Sequence, residues 1–144
     1  MPFEIKPIFM LSLSEVDYNL IKEMKEYIGY GNIIKFKFSK YSPNYRDVFS
    51  LVVGGFRNCI NFINIFDNIL IGNKRQQYEL WKQGVEIIRK DEHRTIKGIL
   101  EIAKIRDKIG RKHKLKNYRD YNWFKEYLDK NYKDYKPAYY NGEN

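Results

Sequence analysis

Between Ile8 and Leu13 the chain reads IFMLSL, with Phe9, Leu11 and Leu13 alternating against Ile8, Met10 and Ser12. A period of two sends alternate side chains to opposite faces, so this stretch predicts a strand. The period then lengthens. Val16, Leu20, Met24 and Ile28 recur at helical spacing, and Ile21 and Tyr27 widen the apolar face. Ser14 with Asp17 is a capping-box pattern for the helix start, and Gly29 and Gly31 supply its stop. Alternation returns where Ile34, Phe36 and Phe38 interleave with Lys35, Lys37 and Ser39, predicting a strand with one basic face. KYSPNYRD is a turn-rich connection, and VFSLVV, Val48 to Val53, predicts the hairpin partner before Gly54 and Gly55 break it.

Helical periods dominate the rest of the chain. One helix is expected from Phe56, with Phe56, Cys59, Ile60, Ile63 and Phe66 on one face and Asn58, Asn61 and Asn68 opposite. A second starts at Asn73 and carries Tyr78, Trp81, Val85 and Ile88. KDEHRT delivers Thr95 as the N-cap of a third, which runs to Ile109 and stops at Gly110. Trp123, Phe124, Tyr127 and Leu128 predict one more short amphipathic helix near 120–130, and the remainder, through NYKDYKPAYYNGEN, reads as an extended arm. The expected class is α+β, an antiparallel sheet packed by helices, with extra C-terminal helices and a basic-aromatic tail. A composition change at Arg111 divides a domain, 1–110, from an extension, 111–144. No internal repeat is present.

Charge narrows the list of partners. The net charge of +9 points towards an anion, nucleic acid first and an anionic membrane surface second, against a plain solubility role. The segment 111–144 holds 9 Lys/Arg against 5 Asp/Glu, with seven of the 13 tyrosines. Its first part, GRKHKLKNYRDYNWFKEYLDKNYKDYK, interleaves cations and aromatics, which suits phosphate binding plus stacking on unpaired bases. A helix docking Trp123, Phe124 and Leu128 onto the domain explains the same aromatics without any ligand. Cys59 is the only cysteine and His93 and His113 the only histidines, which leaves no disulfide scaffold or zinc site. No run of about 18 apolar residues is present, so no membrane span is expected. The N-terminus, MPFEIKP, has neither a signal peptide's apolar run nor a transit peptide's amphipathic helix. The wealth of Ile, Lys, Asn, Tyr and Phe, with alanine only at Ala103 and Ala138, implies an A/T-rich genome, whether mitochondrial, viral or that of a low-GC bacterium. Together these suggest an organelle-encoded, mitochondrial protein.

Four stretches carry a resemblance: IKPIFMLSLSEVDYNLIKEMKEYIGYGNI, NCINFINIFDNILIGNKRQQYELWKQGVEII, KDEHRT and GILEIAKIRDKIG. In wording and order, over roughly residues 5 to 110, they resemble the LAGLIDADG homing endonuclease family. The resemblance implies a domain of helix, two strands, helix, two strands, helix. The first helix is the family signature, which packs domains together and ends in an acid that holds catalytic Mg²⁺. Set against that pattern, the 144 residues lack the signature helix and most of the first strand. They hold no G-x-x-D-x-x-G-like segment, and Glu4 falls too late to stand in. No catalytic residue is therefore carried over, and no cofactor is expected. Mg²⁺ enters only if the missing element is supplied elsewhere.

In the family the sheet is a saddle whose alternate side chains face the DNA major groove. Carried over by position, the set is Lys6, Ile8, Met10 and Ser12, then Lys35, Lys37 and Ser39, then Ser50 and Val52, with Lys40 and Arg46 flanking. In the extension the candidates are Arg111, Lys112, Lys114, Lys116 and Arg119. The lysines suit phosphate contact, whereas Ile8, Met10 and Val52 cannot make base-reading hydrogen bonds. His93 reads as a helix-junction hydrogen bonder, and Cys59, Tyr78 and Trp81 as core. The expected function is a non-catalytic nucleic-acid-binding protein of LAGLIDADG descent. RNA is favoured over duplex DNA, in an organellar ribonucleoprotein such as a mitochondrial ribosome or a splicing complex, with proteins covering the truncated sheet. The alternative is a fragment of an active intron-encoded endonuclease or maturase. A third reading is a pure interaction module.

Overall fold

The computed structural model describes residues 4–69, 73–110 and 116–135. They belong to two compact units, Met1–Asp67 and Asn68–Asn144. The first unit runs β1 (Ile8–Ser14), α1 (Tyr18–Ile28), β2 (Asn32–Phe36), β3 (Val48–Gly54) and α2 (Phe56–Phe66). Its sheet is antiparallel with order β1-β3-β2, so β3 is central although it comes last. The class is α+β with an antiparallel sheet, as expected.

Register follows from what is buried. Leu11 pairs with Leu51, and Leu51 with Ile33. Leu51 and Val53 are fully buried, so this face carries the core. α1 and α2 cover it, placing Tyr18 on Phe49 with ring centroids 4.5 Å apart and Phe62 on Phe9 at 4.1 Å. A fully buried Ile21 or Phe62 cut to alanine costs about 2–5 kcal/mol in such a core.

Several local expectations shift. Ser14 is the last residue of β1 and makes no side-chain cap; a 3₁₀ turn over Glu15–Asp17 precedes α1. Within α1 Ile21 and Ile28 are buried while Leu20 and Tyr27 are exposed, as is Val16 in the turn before it. The apolar stripe is wider than the one line the sheet can cover. In α2 the buried pair is Cys59 and Phe62, and Phe56 is exposed. The second strand ends at Phe36, and Phe38 begins a 3₁₀ turn.

The second unit comprises α3 (Asn73–Arg89), a 3₁₀ turn (Glu92–Arg94), α4 (Ile96–Ile109) and α5 (Tyr121–Asn131). α4 packs against both α3 and α5, around Tyr78, Val85, Ile99, Ala103 and Leu128. Thr95 caps α4 as expected, its hydroxyl accepting from Gly98 N–H at 2.9 Å, and Gly110 ends it at φ 92°. Asp120 caps α5 by accepting from Trp123 N–H at 2.9 Å.

Candidate nucleic-acid interface

The β3 register settles which side chains share the uncovered face of the sheet. Ser12 pairs with Ser50, and Ser50 with Ile34; Met10 pairs with Val52, and Val52 with Asn32. Ile8, Met10, Ser12, Asn32, Ile34, Phe36, Val48, Ser50 and Val52 therefore lie on one face. Lys35 pairs with Phe49 and points to the other side. The expected grouping of Lys35 with Ser12 is therefore wrong. Both Ile33 and Ile34 are apolar, so alternation alone fits either phase; pairing Ile33 with buried Leu51 selects the one that turns Lys35 away.

Lys35 is held where it lies. Its Nζ sits 5.5 Å from the Phe49 ring centroid and 3.5 Å from the Asp47 carboxylate. Asp47 is buried, and its carboxylate also accepts from Ser39 N–H at 3.1 Å. That backbone hydrogen bond first, with the nearby Lys35 ammonium adding to it, holds the Asp47 carboxyl below the usual aspartate range. Lys6, Lys37, Lys40 and Arg46 lie outside the strands. Lys6 pairs with Glu4 at 3.1 Å, both exposed, a pair worth little in water. Lys40 sits over the Tyr41 ring at 4.9 Å. Lys37, Lys40 and Arg46 are exposed and pair with no carboxylate among the described residues. The hydroxyls of Ser12 and buried Ser50 hydrogen-bond each other at 2.6 Å.

In the second unit Arg111, Lys112 and Lys114 lie outside the described residues, as does His113. Lys116 is exposed. Arg119 stacks on the Trp123 ring at 4.4 Å, and Trp123 stacks on Tyr127 at 4.9 Å with the rings 10° from parallel. Arg106 lies 5.0 Å from the Tyr118 ring and 5.8 Å from Phe124, and Lys104 5.0 Å from Tyr121. Asp107 anchors the approach to α5, accepting from Tyr118 Oη–H at 2.9 Å and Tyr121 N–H at 3.0 Å. The cation–aromatic interleaving of this segment is thus largely satisfied within the unit. His93 sits at the α3–α4 junction, but its buried Nδ1 makes no hydrogen bond, and burial lowers its pKa. Sequence reasoning missed Phe36 and Phe38 as exposed rings and Lys104 and Arg106 as cations. The first pair was hidden by the wrong strand phase, the second by its place within a core helix.

A family model described as LAGLIDADG endonuclease matches residues 1–85, over half of the chain. The chain belongs to the LAGLIDADG endonuclease family. Among solved LAGLIDADG structures, the meganuclease I-CpaMI bound to uncleaved DNA is similar at 29% identity and TM-score 0.55. The match covers 71% of this chain and 32% of I-CpaMI, so the chain spans about a third of that protein. The archaeal intron-encoded homing endonuclease I-Vdi141I, complexed with DNA, shares the fold at 22% identity and TM-score 0.64, covering 88% of this chain and 77% of that one. The homing endonuclease I-TnaI does so at 16% and TM-score 0.63, with coverage of 88% and 77%. No curated protein sequence matches the chain. Among the described residues no group of three or more His, Cys, Asp or Glu could hold a metal ion. No helix among the described residues is long and apolar enough to cross a membrane.

Proposed function

We propose that these 144 residues act as a nucleic-acid-binding protein that does not itself cut its target, with RNA preferred over duplex DNA. The uncovered sheet face carries this reading. Discriminating base pairs in a groove takes Arg, Lys, Asn, Gln or acidic side chains aimed at base edges. On that face Asn32 is the only such group among the described residues; Ile8, Met10, Ile34, Phe36, Val48 and Val52 are apolar, and the Ser12 and Ser50 hydroxyls share one hydrogen bond. Lys37, Lys40 and Arg46 still offer phosphate contact, which holds a strand without reading it. RNA, whose loops present whole bases rather than edges, suits such a surface better than a duplex.

The non-catalytic part of the proposal draws on the lack of any G-x-x-D-x-x-G-like segment in the 144 residues. An organellar, mitochondrial ribonucleoprotein, ribosomal or splicing, fits the A/T-biased composition, and exposed Val16, Leu20 and Tyr27 suit contacts with its other proteins. A second reading, a piece of an intron-encoded endonuclease or maturase completed elsewhere, is favoured by the 32% span of I-CpaMI. Electrophoretic shifts with a structured RNA and a DNA duplex across a salt series test the first. Tighter RNA binding at every salt is expected, and equal or absent affinity overturns it. Mg²⁺-dependent cutting of a duplex by the chain once a LAGLIDADG helix is supplied, and not by the chain alone, would establish the second instead.

A further inference from the structure

We propose that the uncovered sheet face of the first unit binds unpaired bases of an RNA strand by stacking, with the β2–β3 connection holding its phosphates. This rests on the nucleic-acid reading above and gives it a place and a mode. Ile34, Phe36 and Phe38 are 42%, 41% and 42% exposed, and the Phe36 and Phe38 rings lie 26° from parallel with centroids 6.4 Å apart. Across β3, exposed Ile8 and Met10 extend the apolar surface to the far edge. No Asp, Glu, Lys or Arg occupies a strand position on this face. Exposed apolar side chains gathered on one face of a sheet mark a binding site.

Charge selects the occupant. The connection from Lys37 to Asp47 has three cations, Lys37, Lys40 and Arg46, and a single acid, Asp47. That acid is turned inward onto Ser39 N–H and Lys35, so the outer side of the connection is positive. The ligand must therefore present flat apolar surface and negative charge side by side. An unpaired RNA strand does so, with base faces for the rings and phosphates for the cations. A duplex buries its base faces in its own stack. The aromatic rings around α5 do not compete for this role, because Arg119, Arg106 and Lys104 already lie on them. Recognition would tolerate many sequences, since every base has a π-face.

The test is fluorescence anisotropy with the full chain and three labelled probes: single-stranded oligoadenylate RNA of about twelve nucleotides, the matching RNA duplex and the matching DNA duplex. The single strand is expected to bind about tenfold more tightly than either duplex. Phe36→Ala with Phe38→Ala should weaken single-strand binding about tenfold and leave duplex binding unchanged. Phe36→Tyr with Phe38→Tyr should restore it, because tyrosine also stacks. Failure of that pair to restore binding would assign the loss to misfolding and overturn the proposal. Unchanged single-strand affinity in the alanine pair would also overturn it, leaving general nucleic-acid binding intact. Loss of all three probes from the wild type would remove both readings. Self-association that depends on Phe36, seen by sedimentation without any binding to RNA, would make the face a protein interface and overturn the proposal too.

Discussion

A methyl group at Gly98 would lie 1.9 Å from the backbone oxygen of Glu92 and 3.1 Å from Thr95 Oγ1. The carbonyl belongs to the turn that aims Thr95 at the helix end, so neither side can yield. Gly98→Ala is expected to lower stability by at least about 1–3 kcal/mol, read as a fall in the urea midpoint. Thr95→Ala, which removes the cap and the hydroxyl's hydrogen bond to the Glu92 carbonyl, should cost about 1–2 kcal/mol. The cap was legible in KDEHRT; the glycine's reason was not, because it depends on a backbone contact six positions upstream. Asp47 and His93 both contribute to the acid response. Asp47, held below the ordinary aspartate value of 3.8, adds stability above that value and loses it as pH falls through its folded pKa. Burial lowers the His93 pKa below 6.5, so the unfolded chain takes up the proton more readily and stability erodes as pH drops below 6.5. Urea midpoints measured against pH should fall first in the histidine window and again in the aspartate window. Asp47→Asn should abolish only the second step.

At the level of elements, period located the helices among the described residues and Thr95 marked the start of α4, while the direction each element faces was harder to read. β2 shows why: Ile33 and Ile34 are adjacent, both apolar, and only pairing with β3 decides between them. α1 shows the same for a helix whose apolar stripe is broader than its contact. α5 was legible as an amphipathic helix, but its attachment depends on Asp107, eleven residues before Tyr118 and on another helix. Asp107→Ala removes acceptors from the Tyr118 hydroxyl and the Tyr121 amide, at a cost of about 1–3 kcal/mol to the docking of α5. Hydrogen exchange should then quicken in Tyr121–Asn131 while the sheet amides keep their protection.

For the molecule as a whole, the charge of +9 makes affinity for any nucleic acid fall with salt. Replacing Lys37, Lys40 and Arg46 together by Gln should flatten the plot of log affinity against log salt by about 0.7 for each single-strand phosphate no longer neutralised. Lys35→Gln should leave that slope unchanged, since Lys35 faces Phe49 and Asp47. The family was legible from word order along the chain, and so was the basic character of the connection. The fate of the tail's aromatics was not, because rings that can stack on bases can equally stack on neighbouring arginines.

The strand order has a kinetic side. β1 and β2 touch only through β3, so Ile8–Ser14 must wait for Val48–Gly54, some forty residues later, before any ladder can close. Among the described strands, β1 and β2 have no ladder partner until β3 is made. The sheet then closes in one late step around its last strand. Non-local pairing of this sort is slow, and the interval before β3 arrives is when the chain is most exposed to aggregation or to capture by a chaperone.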